Sequence, residues 1–402
     1  MAFPPAKKPT SLLGYHRILS PTAGVRVSPL CLGAMNFGEA WKAFLGECSK
    51  DTAFEMLDYF YEQGGNFIDT ANNYQSEESE TWIGEWMQKH GNRDEMVIAT
   101  KFTTGFRPQS APENIKANFQ GNHAKSLHLS VKHSLRKLQT DYIDLLYVHW
   151  WDFTTSIPEL MNSLNGLVAS GKVLYLGISD TPAWLVVKCN DCNSIPMFQK
   201  DARSDARFHG LTQFSVYQGH WSAAFRDFER DILPMCEAEG MGLAPWGALG
   251  RGMFKSAEQY NAPDRDGRKT GAQDPKYERI AAKLETLAKK KDTAITSIAL
   301  AYVMHKSPYV FPIVGGRKVE HLKGNVEALG VKLTQEEIDE IEDAEPFDIG
   351  FPLSFLFGFG GQTYRSRMTA GDLKLIQANT NLDAVPKLQH IVPRDHEEPA
   401  NV

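Results

Sequence analysis

The sequence predicts a (β/α)₈ barrel, and three observations carry that expectation. Short apolar runs alternate regularly with segments at helical spacing. Eight such runs can be counted, the strand number of a closed α/β barrel. Polar, chemically capable residues sit at the C-terminal ends of several runs, the end where barrels of this kind place their active sites.

The expected strands are Pro29–Gly33, Asn66–Asp69, Met96–Thr100, Tyr142–His149, Val173–Ser179, Leu211–Val216, Gly242–Trp246 and Val310–Val314. Before them, residues 1–13 read as a flexible arm and residues 15–27 as a hairpin turning at Pro21 and Gly24. The first helix starts at Asp51, carries Phe54, Leu57 and Phe60 at helical spacing, and stops at Gly64-Gly65. Further helices are expected over 77–89, 123–138, from the capping box Ser156-x-x-Glu159 to Gly171, from Pro182, over 223–239, within 275–290, over 293–305, and from Val319. A last one opens on a second box, Thr334-x-x-Glu337. Residues 1–345 are thus assigned to the barrel, with cofactor and substrate at its C-terminal face. Residues 346–402 form an extension with Phe347, Phe351, Phe355, Phe357 and Phe359, a candidate flap over the substrate. Long segments at 190–210 and 250–274 exceed what a bare barrel needs, and the second falls on the functional face as a candidate lid.

Bulk properties narrow the function. The chain has 402 residues, 42% apolar and 23% charged, which is enough for a full core. A net charge of −6 gives no basic face for nucleic acid. Five cysteines argue against a disulfide framework and for a reducing compartment. With no secretory h-region and no apolar stretch of roughly 20 residues, a cytoplasmic location and no membrane partner are expected. There is no Gly-x-Gly-x-x-Gly, His-Glu-x-x-His or Gly-x-Ser-x-Gly. Cys189-x-x-Cys192 lacks a second pair at zinc spacing, so no metal is expected.

Four residues remain at or just beyond strand ends: Asp69, Tyr74, Lys101 and His149. A phenol is a weak acid near neutrality, and a neighbouring ammonium lowers its pKa. Lys101 can supply that charge to Tyr74, and Asp69 can hold the ammonium. His149 can donate a hydrogen bond to a substrate oxygen. Such a group would protonate a carbonyl oxygen as hydride reaches its carbon. Each residue alone is more often a cap or a core residue than a catalytic one; their order on successive strands is the stronger signal.

Phe67-Ile68-Asp69-Thr70-Ala71 followed by Tyr74, Ala99-Thr100-Lys101 and Tyr147-Val148-His149 resemble, in order and spacing, the tetrad of the aldo-keto reductases. The resemblance runs from about Leu30 to Glu342. It implies that Tyr74 is the general acid, that Lys101 and Asp69 tune it, and that His149 positions the carbonyl. It also implies NADPH as cofactor. Asp69, Ser179, Asp180 and Gln213 would lie near the nicotinamide end, and Trp246 would stack on the ring. Leu249, Gly250, Arg251 and Gly252 would wrap the pyrophosphate. Gly316, Arg317, Lys318, His321 and Asn325 would take the 2′-phosphate and adenine. Asp180 departs from the family's usual asparagine, keeping an acceptor oxygen but losing the amide donor.

Leu32-Gly33-Ala34-Met35, Gly84-Glu85-Trp86, the run from Tyr175 to Pro182 and Ala244-Pro245-Trp246 are similar to fungal aryl-alcohol dehydrogenases and norsolorinic acid reductase-like enzymes. That likeness implies reduction of an aromatic or polycyclic aldehyde or ketone in secondary metabolism. Trp41, Phe44, Phe102, Trp150 and Trp151 follow strand ends and are candidates to line an apolar pocket. The alternative is a barrel that holds NADPH for regulation, or that isomerises its ligand without net reduction.

Overall fold

The computed structural model describes residues 6–108, 110–191, 210–256, 258–259 and 274–394. Two strands, β1 (Arg17–Ser20) and β2 (Ala23–Val27), form the expected antiparallel hairpin. Eight parallel strands follow: β3 (Cys31–Gly33), β4 (Phe67–Asp69), β5 (Val97–Phe102), β6 (Ile143–Val148), β7 (Val173–Ser179), β8 (Phe214–His220), β9 (Gly242–Trp246) and β10 (Ile313–Val314). They lie in the order β10-β3-β4-β5-β6-β7-β8-β9. The cylinder closes where Leu243 bridges Val310 in parallel; the Leu243 N–H donates to Tyr309 at 2.8 Å and the Phe311 N–H to Leu243 at 2.8 Å.

All six residues of β5 and of β6 are buried. Covered on both faces, these strands read in sequence as unbroken apolar runs rather than alternating ones. Inside the cylinder, Cys31, Phe67, Val97, Ala99, Leu145, Tyr147, Val216, Ala244 and Phe311 form one cluster with Leu19, Ala23 and Val27 of the hairpin. The hairpin therefore seals the N-terminal end, leaving the other end for chemistry. Gly242 permits that seal, because a Cβ there would lie 2.3 Å from the Leu19 carbonyl oxygen. Tyr147 gains its interior place in the same way, since a Cβ on Gly177 would strike its ring at 2.4 Å.

The outer helices are α1 (Lys50–Glu62), α2 (Glu78–His90), α3 (Ala124–Leu138), α4 (Ile157–Ala169), α5 (Ala183–Asp191), α6 (Ile232–Glu239), α7 (Pro275–Lys290), α8 (Ile295–Met304), α9 (Val319–Glu327) and α10 (Gln335–Asp343). The box at Thr334 forms in full. The one at Ser156 forms only by half: Ser156 accepts the Glu159 N–H, while the Glu159 carboxylate accepts the Ala124 N–H at the start of α3. Helix α6 is shorter than the expected 223–239, because residues 221–231 turn and form a 3₁₀ segment at Asp227–Glu229. The arm also ends earlier than expected. Ser11 caps a 3₁₀ turn at Leu12–Gly14 and donates to the Gln63 carbonyl at 2.8 Å, and Leu13 is fully buried.

Beyond α10 the extension follows the flank of the barrel. Phe347 lies over the guanidinium groups of Arg226 and Arg230. Arg365 binds Glu342 at 2.9 Å and Asp343 at 2.5 Å, and Arg367 binds Asp339 at 2.7 Å. Lys387 meets Glu237 at 3.0 Å, and Arg394 reaches the ring of Tyr15 beside the hairpin. The candidate lid lies, for residues 257 and 260–273, outside the described residues, as do Cys192 and most of 190–210. Among the described residues no helix is long and apolar enough to cross a membrane, and no His, Cys, Asp and Glu cluster could hold a metal.

Candidate active site

Parallel register steps the predicted residues along the C-terminal ends of neighbouring strands, with Lys101 two residues beyond the partner of Asp69 and His149 two beyond the partner of Lys101. Gly33 pairs with Asp69, Asp69 with Ala99, and Lys101 with Tyr147. His149 follows β6 and donates its backbone N–H to the Phe102 carbonyl at 3.0 Å. Lys101 is fully buried; its ammonium donates to Asp69 Oδ1 at 2.5 Å and to the Thr70 carbonyl at 2.6 Å. The same nitrogen stands 5.0 Å from the centre of the Tyr74 ring. The Tyr74 ring meets that of His149 edge-on at 5.9 Å. All four residues thus converge at the C-terminal mouth.

Tyr74 is held there by a strained turn. The next three residues, Gln75, Ser76 and Glu77, have φ of +51°, +53° and +86°. Left-handed backbone at a non-glycine residue costs roughly 1–2 kcal/mol. Side chains of the same three-residue run anchor it. Gln75 donates to the Met35 carbonyl at 3.0 Å and accepts the Trp41 N–H at 2.7 Å. Glu77 binds Arg107 at 2.8 Å and Lys137 at 3.2 Å. Trp41 in turn faces the Tyr74 ring at 6.2 Å.

The electrostatics differ in one respect from expectation. Burial pulls the Lys101 ammonium down, but Asp69 and then Tyr74 outweigh it, so Lys101 stays firmly charged. For Tyr74, burial raises the phenol more than Lys101 lowers it, and the net shift is upward. Lys101 therefore limits the rise rather than producing a phenolate. The result is a phenol that keeps its proton at neutral pH, the form an acid needs before it donates. Burial, helped by the Lys101 charge, lowers His149 to about 3, so its imidazole is neutral.

The residues assigned to a nicotinamide cofactor fall into three groups. Ser179 ends β7 and pairs in register with Gln218 of β8. Asp180 follows with φ of +41° and donates its N–H to the Gln218 carbonyl at 3.2 Å. The barrel rim withdraws water from part of the Asp180 carboxyl, and this desolvation pushes it up to about 6. Gln213 is the correction. It precedes the first residue of β8, at the opposite end of the strand, with its amide 3.5 Å from the Asn190 carbonyl. Gln218 occupies the level expected of it, buried and donating to Asp69 Oδ2 at 2.9 Å. The strand runs four residues further than the apolar pattern suggested, which moves the mouth from Val216 to His220.

Trp246 ends β9 with one face stacked on His220 at 4.4 Å and 3°, and His220 stacks in turn on Phe225 at 4.0 Å. After it, Gly247, Gly250, Arg251 and Gly252 all have positive φ, and a Cβ on Gly252 would enter open space. Leu249 opens this 3₁₀ turn. A loop in that conformation can bring its backbone close to a phosphate. Gly316 follows β10, its carbonyl accepting from Asn36 at 3.3 Å. Arg317 reaches toward Gly46, where a Cβ would lie 2.4 Å from the guanidinium. Lys318 opens α9, with His321 exposed and Asn325 buried on that helix. A helix start flanked by two cations suits a phosphate group.

The expected apolar lining divides. Trp41 and Trp150 lie beside the tetrad, whereas Phe102 and Trp151 belong to the core and Phe44 is exposed. Thr104, which sequence reading passed over, contacts both His149 and Trp150.

The model for the aldo/keto reductase family matches residues 29–346. Norsolorinic acid reductase A of Aspergillus parasiticus is 64% identical, with 98% of this chain and 97% of that protein covered. A norsolorinic acid reductase of Emericella nidulans is 57% identical over 98% of each chain. A putative aryl-alcohol dehydrogenase of Saccharomyces cerevisiae is 51% identical over 88% of this chain and 93% of its own. With a family match across most of its length and relatives this similar, the chain belongs to the aldo/keto reductase family, whose members generally draw hydride from NAD(P)H.

Proposed function

We propose that this enzyme reduces an aromatic or polycyclic aldehyde or ketone to the alcohol, in secondary metabolism, with NADPH as the preferred cofactor. One observation carries the reading: the buried Lys101 ammonium is clamped by Asp69 at 2.5 Å and stands against the Tyr74 ring. When bound, the cofactor supplies a hydride. Tyr74 donates the phenolic proton to the carbonyl oxygen, and the Lys101 charge stabilises the phenolate left behind. Neutral His149 offers that oxygen a second donor without competing for its proton.

Ser179, Asp180 and Gln218, which share one level of the rim, would orient a carboxamide, with Trp246 as a wall beside it. The glycine turn at 250–252 and the Arg317-Lys318 start of α9 support a pyrophosphate and a 2′-phosphate, which favours NADPH over NADH. Relatives named as norsolorinic acid reductases and aryl-alcohol dehydrogenases support an aromatic substrate, as do Trp41 and Trp150 at the mouth. The test is consumption of NADPH and of NADH with a panel of aryl aldehydes and polycyclic ketones, with product mass recorded. NADPH consumption with two hydrogens gained supports the reading. Cofactor binding without turnover, or product of unchanged mass, would move it to a regulatory or isomerising barrel.

A further inference from the structure

We propose that Thr104 and Trp150 are positioning residues that hold His149 in the tautomer protonated on Nε2, presenting an N–H to the substrate oxygen. The inference rests on the carbonyl reduction proposed above for its purpose, though not for its geometry. His149 has two ring nitrogens, and a neutral imidazole donates from only one of them. Nδ1 stands 3.2 Å from the Thr104 hydroxyl. The Trp150 indole N–H, which can only donate, lies 2.9 Å from that same oxygen. The indole proton occupies one of the two lone pairs of the hydroxyl, and among the described contacts Nδ1 is the acceptor within reach of the threonine's own proton. The chain runs Trp150 Nε1–H to Thr104 Oγ1–H to His149 Nδ1, which leaves the proton on Nε2, on the other edge of the ring.

The backbone around this chain shows that the arrangement is imposed. Thr103 has φ of +109°, a value a β-branched residue rarely adopts. Its hydroxyl accepts the His149 N–H at 3.3 Å and donates to Asn122 Oδ1 at 2.8 Å. The Asn122 amide donates to the Trp150 carbonyl at 3.2 Å, and its backbone N–H donates to Asp152 at 2.7 Å. One strained threonine therefore fixes the main chain of 149–150 while the next turns its hydroxyl to the imidazole. Strain of this kind persists where surrounding contacts over-determine it, and it gathers at functional sites. The imidazole is neutral at working pH, so the tautomer rather than the charge decides what His149 offers. For metal-ligating histidines, groups that orient the ring through its second nitrogen matter by roughly 10–100-fold, and the lower end of that span is the scale expected for this metal-free imidazole.

The experiment is a two-bond ¹H–¹⁵N correlation on full-length protein labelled at histidine, with the His149 signals assigned by loss in His149→Gln. Spectra are compared for wild type, Thr104→Val, Thr104→Ser and Trp150→Phe between pH 6 and pH 8. Wild type is expected to show a bare Nδ1 and a protonated Nε2. Thr104→Val should give mixed tautomers and a kcat lower by about tenfold, with NADPH affinity unchanged, and Thr104→Ser should restore both. Trp150→Phe, which keeps the ring and loses the donor, should shift the mixture in the same direction. A wild-type His149 protonated on Nδ1, or a Thr104→Val spectrum identical to wild type, would overturn the proposal. These spectra report the tautomer whether or not any carbonyl is turned over, so failure of the reductase reading is seen separately, in the cofactor assay.

Discussion

Two buried charge networks in this molecule have opposite character. On the flank, Glu229 is bound by Arg226 at 2.9 Å and Lys306 at 3.1 Å, with the Trp221 indole and the Tyr302 hydroxyl also donating to it. Glu342 takes Arg226, Lys306 and Arg365. Two carboxylates there share three cations and a phenol. Burial alone would raise Glu229, but Lys306 and then Arg226 hold its carboxyl below the ordinary range. At the mouth, one carboxylate meets one ammonium, and the two groups beyond them, Tyr74 and His149, are shifted toward their neutral forms. The flank network has its charges saturated, as a structural joint requires. The mouth network keeps a proton poised on a phenol and an N–H on an imidazole, groups a substrate oxygen can use.

That contrast can be broken experimentally, starting with the largest expected effect. Glu342→Ala should cost about 3–5 kcal/mol of unfolding free energy, because it strands buried cations, while folded enzyme keeps its kcat. A denaturant titration paired with an activity assay checks both, and a loss of kcat at intact stability would show that the flank is part of the site. Arg365→Ala removes one flank partner at the edge of the extension. It should cost about 1–3 kcal/mol and speed proteolysis beyond residue 346, leaving KM for a small aryl aldehyde unchanged. A raised KM would instead make the extension a cover for the substrate.

A smaller effect concerns Asp180. Asp180→Asn supplies the missing amide donor and should tighten cofactor binding by no more than about tenfold, the worth of one hydrogen bond. It should also remove the pH dependence of that binding near 6, the value to which the carboxyl is raised. Titration of protein fluorescence against NADPH from pH 5 to pH 8 reads both.

Acid should separate the networks further. His149 is held near 3 against an ordinary 6.5, so below pH 6.5 the unfolded chain takes up a proton that the folded one refuses, and stability falls toward pH 3. Glu229 is depressed from 4.5, so its contribution is whole above pH 4.5 and is lost only as pH falls through its folded value. His149→Gln should therefore make the stability curve shallower between about pH 6.5 and pH 3, with His220 and His305, both lowered to about 4 by burial, keeping the rest of that slope, and it should leave the Glu229 contribution in place.

The sequence made the barrel legible because a parallel sheet covered on both faces writes itself as apolar runs, as in Val97–Phe102 and Ile143–Val148. The tetrad was legible for a related reason: an ammonium at the end of such a run, as Lys101 is, demands a partner. Gln213 was misplaced because the apolar pattern fades after Val216, while the strand continues through Tyr217-Gln218-Gly219-His220. A usable signal was present, since Gln213 sits near the N-terminal end of its own strand, away from the face where the other functional residues gather. Thr104 left no signal at all. Its role depends on the positive φ of Thr103 and on Trp150 folding back across the mouth, neither of which a residue type announces. The flank network was equally hidden, because Glu229, Lys306, Glu342 and Arg365 come from four separate segments.

Everything proposed for the mouth depends on Tyr74, backed by Lys101, acting as the proton donor. Single-turnover hydride transfer in NADPH-loaded Tyr74→Phe tests it most directly. If Tyr74 is the acid, the rate falls at least about 10²-fold below wild type, with the NADPH dissociation constant and thermal stability unchanged. A rate within about threefold of wild type, far inside the span expected for loss of a general acid, would contradict it.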